Sequence, residues 1–454
     1  MYRKTERSLS ENLKQGRNIM KKKVLSMLLA TVMILTLLAG CGSKESEQQG
    51  SEGSEGSGDK IVLDIYAQYA DDDTKVPYDY AVEELKTAFP EVELNLIVQA
   101  QDDGTTLKTM AATGQLPDIF QANTDIINTL RETNQVMILN DVANETGFAA
   151  KIFESCKGLA YAEDGNMYAF PYAGDEYVLW YYNKALFDQY GLSVPTTYDE
   201  LLNCIDVFTS NDIVPLALFG QEGWNTAAMF DAVATRYVAG GIKTLDTKET
   251  SITDDGYVKA AKKLEELVAA GLFQTGATTT NYDQASEMFL SGKAAMFING
   301  QWYIEDATKA LGEDVDWMFY PAEDAASYEA GKTVLAGGGS TSGYSVNPDS
   351  ENAELAAKVA AFISEKYCEA KVLYRHNPLV ALDTGKQSED ALPAMMQKLS
   401  DTIPSLTGTT KFTWGLTNAI FNDGICTETQ GLISGQFSAD EFLQNMEDVQ
   451  NDMK

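Results

Sequence analysis

The stretch Phe170–Lys184, FPYAGDEYVLWYYNK, places six aromatic residues among fifteen: Phe170, Tyr172, Tyr177, Trp180, Tyr181 and Tyr182. Gly174 and two adjacent carboxylates, Asp175 and Glu176, interrupt them. Tyr177–Tyr182 has the bulky, β-favouring composition of a buried strand. The approach Pro171-Tyr172-Ala173-Gly174 reads as extended chain with a break. Three uses fit such a segment: plain core, a wall on which a ligand ring stacks, or a crossing between two lobes. The flanking sequence bears on all three.

Upstream, Ile61, Leu63 and Ile65 alternate with Val62, Asp64 and Tyr66, the period of a strand. Tyr78, Val82, Leu85 and Phe89 mark one face of a helix that stops at Pro90. Val92–Val98 reads as a second strand, Thr105–Thr113 as a helix and Asp118–Phe120 as a short third strand. This alternation predicts an α/β fold with parallel pairing, in which ligands lie outside the carboxyl ends of the strands. Those ends carry Gln68-Tyr69 and Gln121-Ala122-Asn123. Uncharged amides offer both donors and acceptors, as a hydroxyl-rich ligand requires.

Downstream, Thr197 is the expected N-cap of a helix reaching Phe208, with Glu200 at the capping-box position. Gly223-Trp224-Asn225 is expected in a loop. Tyr257, Ala261, Leu264 and Val268 form a helix face that ends at Gly271. Tyr282–Leu290 reads as helix and Gly292–Ile298 as turn then strand, delivering Asn299-Gly300-Gln301-Trp302. Gly337-Gly338-Gly339 precedes an extended Gly343–Val346, and Glu351–Tyr367 is an Ala-rich helix. The remainder reads as mainly helical, with an exposed-looking Lys411-Phe412-Thr413-Trp414-Gly415.

The chain has 454 residues, 44% of them hydrophobic, enough for two domains or one large bilobal unit. A net charge of -33 repels phosphate backbones and excludes nucleic acid as a partner. Beyond Cys41, the cysteines Cys156, Cys204, Cys368 and Cys426 lack CxxC spacing and read as buried thiols. His376 is the only histidine, leaving little material for zinc or a Ser-His-Asp triad. Gly292–Met296 contains Gly-Lys without the glycine spacing of a phosphate-binding loop. No EF-hand pattern occurs either, so no metal or cofactor is expected. Asp175-Glu176 is the one tempting pair for glycoside hydrolysis. That chemistry requires carboxyls facing one bond, whereas neighbours on an extended chain point to opposite faces. A non-enzyme is expected.

Residues 1–40 read as a signal peptide whose true start is Met20: three lysines, an apolar run from Val24 to Ala39, then Gly40 and Cys41. Leu38-Ala39-Gly40-Cys41 resembles the bacterial lipobox, which implies diacylglycerol on the sulfur of Cys41. Residues 41–59 then comprise the lipidated cysteine and a Ser/Gly/Glu tether without apolar content, with a typical span of about 23 Å. The expected location is the extracellular face of a cell membrane, of the Gram-positive kind.

Trp224 and Trp414 each sit beside Gly, and Trp302 follows Asn299-Gly300-Gln301. A Trp face covers the apolar side of a pyranose while Asn, Gln, Asp and Glu engage its hydroxyl rim. Several segments resemble the family 1 extracellular solute-binding proteins, the maltose-binding-protein-like receptors of carbohydrate ABC importers. They are Gly114–Phe120 with Asn123; Phe170-Pro171 followed by Tyr182-Asn183-Lys184, Leu186-Phe187 and Gly191-Leu192; Pro195–Leu202; and Phe289–Trp302. The resemblance implies a two-lobe, type II periplasmic-binding-protein-like α/β fold. Lobe 1 would comprise residues 60–175 plus 340–378, and lobe 2 residues 176–339 plus 379–454. It implies crossings near Asp175–Tyr177, Ala336–Tyr344 and Asn377–Leu382. The ligand contacts it implies are Gln68 and Asn123 in lobe 1, Asp175, Glu176 and Tyr177 at the crossing, Trp224 and Trp302 in lobe 2, with Ser340 and Trp414. The implied function is capture of a sugar, of oligosaccharide size, by a monomer that delivers it to ABC permease subunits. Two alternatives stand beside it. One is a receptor for a cation such as a polyamine, using Asp71, Asp72, Asp73, Asp175 and Glu176 as charge partners. The other is a lipid-anchored carbohydrate-active enzyme.

Overall fold

The computed structural model describes residues 60–102 and 104–453. The signal segment, Cys41 and the tether lie outside the described residues. The strands are β1 (Ile61–Ala67), β2 (Val92–Val98), β3 (Ile119–Asn123), β4 (Phe170–Pro171), β5 (Val178–Asn183), β6 (Val214–Ala217), β7 (Ala294–Gly300), β8 (Val315–Met318), β9 (Val334–Leu335), β10 (Ser342–Val346) and β11 (Gly408–Thr409).

The first sheet has the order β2-β1-β3-β10-β4. β1 is parallel to β2 and β3, as the strand–helix–strand alternation requires. β10 enters antiparallel between β3 and β4, so Tyr344 pairs with Gln121 on one side and Phe170 on the other. Alternation along the strands divides the faces. Leu63, Ile65 and Ile119 pack with Tyr78, Ala81 and Leu85 of the helix Asp72–Ala88, and with the Ala-rich helix Ala353–Tyr374. Tyr66, Phe120 and Ala122 face Leu107, Ile126 and Leu130 of the helices Thr105–Ala112 and Thr124–Glu132. Helices therefore cover both faces.

The second sheet has the order β6-β7-β5-β8, with β6 parallel to β7 and β5 antiparallel to both β7 and β8. All seven residues of β7 are buried. The helix Tyr198–Thr209 starts at the expected capping box, Thr197 accepting from the Glu200 amide and Glu200 accepting from the Thr197 amide. The two C-terminal helices, Ala419–Ser434 and Ala439–Asp452, insert Phe421, Ile425, Phe442 and Met446 into this same core. The last stretch of chain is thus structural substance of the second lobe. Cys156, Cys204, Cys368 and Cys426 are free and buried, as their spacing implied.

Three segments link the two cores and pair with one another. In the middle runs 172–177, between β4 of the first sheet and β5 of the second. On one side, Tyr177 bridges Gly337 and the Gly338 amide donates to the Glu176 carbonyl at 2.6 Å. On the other, Ala173 bridges Val380 and the Gly174 amide donates to the Leu379 carbonyl at 3.2 Å. The glycine run fits because Gly337 and Gly338 have φ of +90° and +144°, which side chains other than glycine's rarely permit. Val380, Ala381 and Leu382 still pack in the first core, and Met395 lies in the second. Leu379 packs against the second core, so residues 379–382 touch both sides of the crossing.

Two local expectations fail for one physical reason each. Gly223-Trp224-Asn225 opens a helix, Gly223–Ala234, instead of lying in a loop. All twelve residues of that helix are buried, so it has no polar face to mark its period. Lys411–Gly415 is not exposed: Phe412, Thr413 and Gly415 are buried against the second core and the crossing. A short ladder of β11 with β9 holds this segment in place.

Candidate functional site

A cavity of about 440 Å³ is lined by residues of both cores and of the crossing. From the first core it receives Gln68 and Asn123, at the carboxyl ends of β1 and β3. From the second it receives Trp224, Trp302 and Trp414, and from the crossing Glu176. These are six of the nine ligand-contact residues that the resemblance implied.

The first-core wall is pinned by its own hydrogen bonds. The Gln68 amide donates to Gln121 Oε1 at 2.6 Å, and Asn123 Oδ1 accepts from the Ile126 amide at 3.1 Å, capping the next helix. Gln99 and Asp102, just beyond β2, also line the cavity. Sequence reasoning missed them, although the strand-end rule that found Gln68 and Asn123 applies equally to β2. Gln99 Oε1 and Asp102 Oδ1 are buried acceptors with no hydrogen-bond partner among the described residues. Such atoms favour a ligand that donates.

The second-core wall is aromatic. Phe412 and Trp414 stack with centroids 4.3 Å apart and planes 8° from parallel. Trp224 meets Trp414 edge-on at 5.3 Å, and Trp302 lies 5.9 Å from Trp224. Trp224 is brought in by the first turn of its buried helix, Trp302 by the turn after β7. Gly300 makes room for Trp302: a Cβ there would lie 2.1 Å from the indole ring.

Glu176 sits between the walls. Burial pushes its carboxyl up to about 7; Lys371 opposes this, Asp73 adds to it, and a hydrogen bond from Trp414 opposes it. Asp71 is raised by burial and by neighbouring Asp73. Asp73 forms ion pairs with Lys371 and, at 3.4 Å, with Arg375. Arg375 continues to Asp306 on the second-core side at 2.7 Å.

Asp175, Tyr177 and Ser340 are not among the residues lining the cavity. Asp175 is exposed, on the opposite face of the extended crossing from Glu176, and it accepts the Tyr177 hydroxyl. Tyr177 is committed to the hinge: its amide donates to Gln301 Oε1 at 2.7 Å and its carbonyl accepts from the Gln301 amide at 3.0 Å. Ser340 is buried under Gly415, where an added Cβ would lie 2.8 Å from that of Ser340. The cationic-ligand alternative loses most of its partners on the same grounds. Asp71 caps a helix by accepting from the Thr74 amide, Asp73 is ion-paired, Asp72 lies 3.6 Å from Lys309 and Asp175 points away.

Two α/β cores, three paired crossings and a cavity between them define a two-lobed binding protein of the type II periplasmic-binding-protein-like class. Residues 71–366 match the family described as bacterial extracellular solute-binding protein, and the chain belongs to that family. The multiple sugar-binding protein of Streptococcus mutans is 24% identical over 286 residues, 59% of this chain and 61% of that protein. The chain thus spans about three fifths of the length of that curated relative. Among solved structures, one from work on xylan utilisation by Caldanaerobius polysaccharolyticus gives a TM-score of 0.76 at 22% identity, covering 86% of this chain and 99% of that one. A chitin oligosaccharide binding protein gives 0.74 at 22% identity, covering 87% and 99%. Both share the fold.

Proposed function

We propose that this chain is the extracellular receptor of a carbohydrate ABC importer, capturing an oligosaccharide between its lobes and handing it to membrane permease subunits. The observation that carries this is one cavity with an aromatic wall on one core and a row of amide and carboxylate acceptors on the other. A sugar ring has apolar faces for the first and donating hydroxyls for the second. A ligand touching both walls favours closure, whereas one touching a single wall shifts no equilibrium between open and closed forms. The sugar-binding names of the relatives support the same reading. Cleavage before Cys41, lipidation of that cysteine and action as a membrane-held monomer belong to this proposal. Among the described residues no helix is long and apolar enough to cross a membrane.

The test is a titration of the body from Ser43 onward with a panel of mono- and oligosaccharides, and with spermidine as the cationic control, by Trp fluorescence and calorimetry. The expected result is a saturable response to at least one oligosaccharide and none to spermidine. A response to spermidine alone would sink the reading. Mass spectrometry of the full chain expressed in a Gram-positive host tests the anchor: a diacylglyceryl adduct on Cys41 is expected, lost in Cys41→Ala.

A further inference from the structure

The charge on the cavity wall has a direction that the saccharide reading alone does not require. Lys371 is the only Lys or Arg among the lining residues, and its ammonium is already ion-paired with Asp73. Against it stand the carboxylates of Glu176 and Asp71, the buried unpartnered Asp102 Oδ1 and the buried unpartnered Gln99 Oε1. These atoms are acceptors. A ligand hydroxyl satisfies them by donating. A ligand carboxylate can only add another acceptor and another negative charge to a partly enclosed, weakly screened space.

We propose that the cavity discriminates by ligand charge, taking neutral hydroxyl-rich saccharides and rejecting those that carry a uronic acid, with Glu176 as the discriminating residue. This rests on the saccharide reading above. Glu176 holds the role by position: it is on the crossing and lines the cavity between the acceptors of the first core and Trp414 of the second. The groups that face it are Lys371 and Asp73 from the two helices of the first core, Tyr172 from its own crossing and Trp414 from the second core, while the neighbouring Asp175, on the opposite face of the crossing, adds only its charge. None of these is a cation left over for a ligand carboxylate.

The experiment compares glucose, galactose and xylose oligosaccharides with the same chains ended by a uronic acid, by calorimetry on the body from Ser43 onward. At about pH 8 the neutral member of each bound pair is expected to bind about tenfold or more tightly than its acidic counterpart. At about pH 5.5, where Glu176 is protonated and the uronic acid is still ionised, the ratio is expected to narrow several-fold. In Glu176→Gln the ratio at about pH 8 should fall to roughly the parent's value at about pH 5.5 and lose its pH dependence, whatever the variant's affinity for the neutral sugar. If that variant does not fold, the pH dependence of the wild-type ratio decides. Equal or tighter binding of the acidic member at about pH 8 overturns the discrimination and leaves the saccharide reading standing. Binding of no saccharide at all overturns both.

Discussion

Arg375 and Asp306 belong to opposite lobes and meet at 2.7 Å. Arg375 ends the helix Ala353–Tyr374 of the first core, while Asp306 stands on Ile304–Leu311, whose Ile304 and Ala307 lie in the second. The Arg375 side chain is 4% exposed and also reaches Asp73. Its removal leaves two half-buried or buried carboxylates without their shared cation. Arg375→Met is therefore expected to lower the unfolding free energy by about 3 kcal/mol, measured in urea. Small-angle scattering of the ligand-free variant should show a larger radius of gyration, because a contact between the lobes is gone. An unchanged midpoint and radius would mean that the pair does not brace the lobes. Lys309→Ala, which breaks an exposed pair 3.6 Å long, should change stability by well under 1 kcal/mol.

Trp414 does two things at once: it stacks on Phe412 and donates its indole N–H to Glu176. The two are separable. Trp414→Phe keeps an aromatic face but removes the donor, so affinity for the best oligosaccharide is expected to fall only a few-fold. Its pH dependence should move upward, because Glu176 loses a bond that favours its charged form. Trp414→Ala removes the face as well and is expected to cost about tenfold or more in affinity, with the far-UV circular dichroism unchanged. If both variants bind as the parent does, the aromatic wall is core and not ligand platform.

The hinge glycines are equally specific. A Cβ on Gly338 would lie 2.6 Å from the Thr410 carbonyl oxygen, at a φ of +144°. Gly338→Ala must distort the backbone beside Glu176, whose carbonyl accepts the Gly338 amide. A loss of about 1–3 kcal/mol in stability is expected, together with slower or incomplete closure in stopped-flow fluorescence with a bound oligosaccharide. Gly385→Ala is the control: its φ is +67° but nothing lies within 4 Å of the added Cβ, so its loss should be smaller and closure unaffected. Equal behaviour of the two variants would remove the hinge argument.

How far the sequence carried depends on whether a residue's role is local. β1, β2 and the Thr197–Glu200 capping box were legible because alternation and capping are decided within a few residues. The division of Phe170–Lys184 was legible in part. Trp180 and Tyr181 are core, and the passage between lobes falls before β5. Tyr177 proved to be a hinge residue, held by Gln301 from a distant turn. Trp224 lines the cavity from a helix and not from the expected loop, since a helix buried on every side gives no periodic signal. Lys411–Gly415 looked exposed because it is polar and glycine-bearing. Its burial is decided by Asp231 and the crossing glycines, far away in sequence. Asp71–Asp73 looked like three equivalent charges and became a cap, an exposed partner for Lys309, and the centre of an ion-pair network.

Asp231 offers the sharpest pH test, because it is buried on the helix Gly223–Ala234 and no ligand is needed to read it. Burial pushes its carboxyl from an ordinary 3.8 up to about 7; bonds from the Thr410 hydroxyl and the Ile242 amide, and the charge of Arg236, oppose this. Thr410 in turn accepts the Gly337 amide at 3.0 Å, so the carboxyl is tied to the hinge. The sign follows from proton counting. Between about 4 and about 7 the folded chain holds a proton that the unfolded chain has released. Stability therefore falls as pH rises through that window, by up to about 4 kcal/mol if Asp231 acted alone. Glu176, also raised to about 7, adds a slope of the same sign. Asp231→Asn keeps an acceptor for the Ile242 amide and cannot ionise. The difference in unfolding free energy between variant and parent, which cancels the titration of every surface carboxylate, should grow in the variant's favour from about pH 5 to about pH 8. A difference that stays flat across that range would show that Asp231 keeps its charge in the folded chain, and that Thr410 and Ile242 outweigh burial.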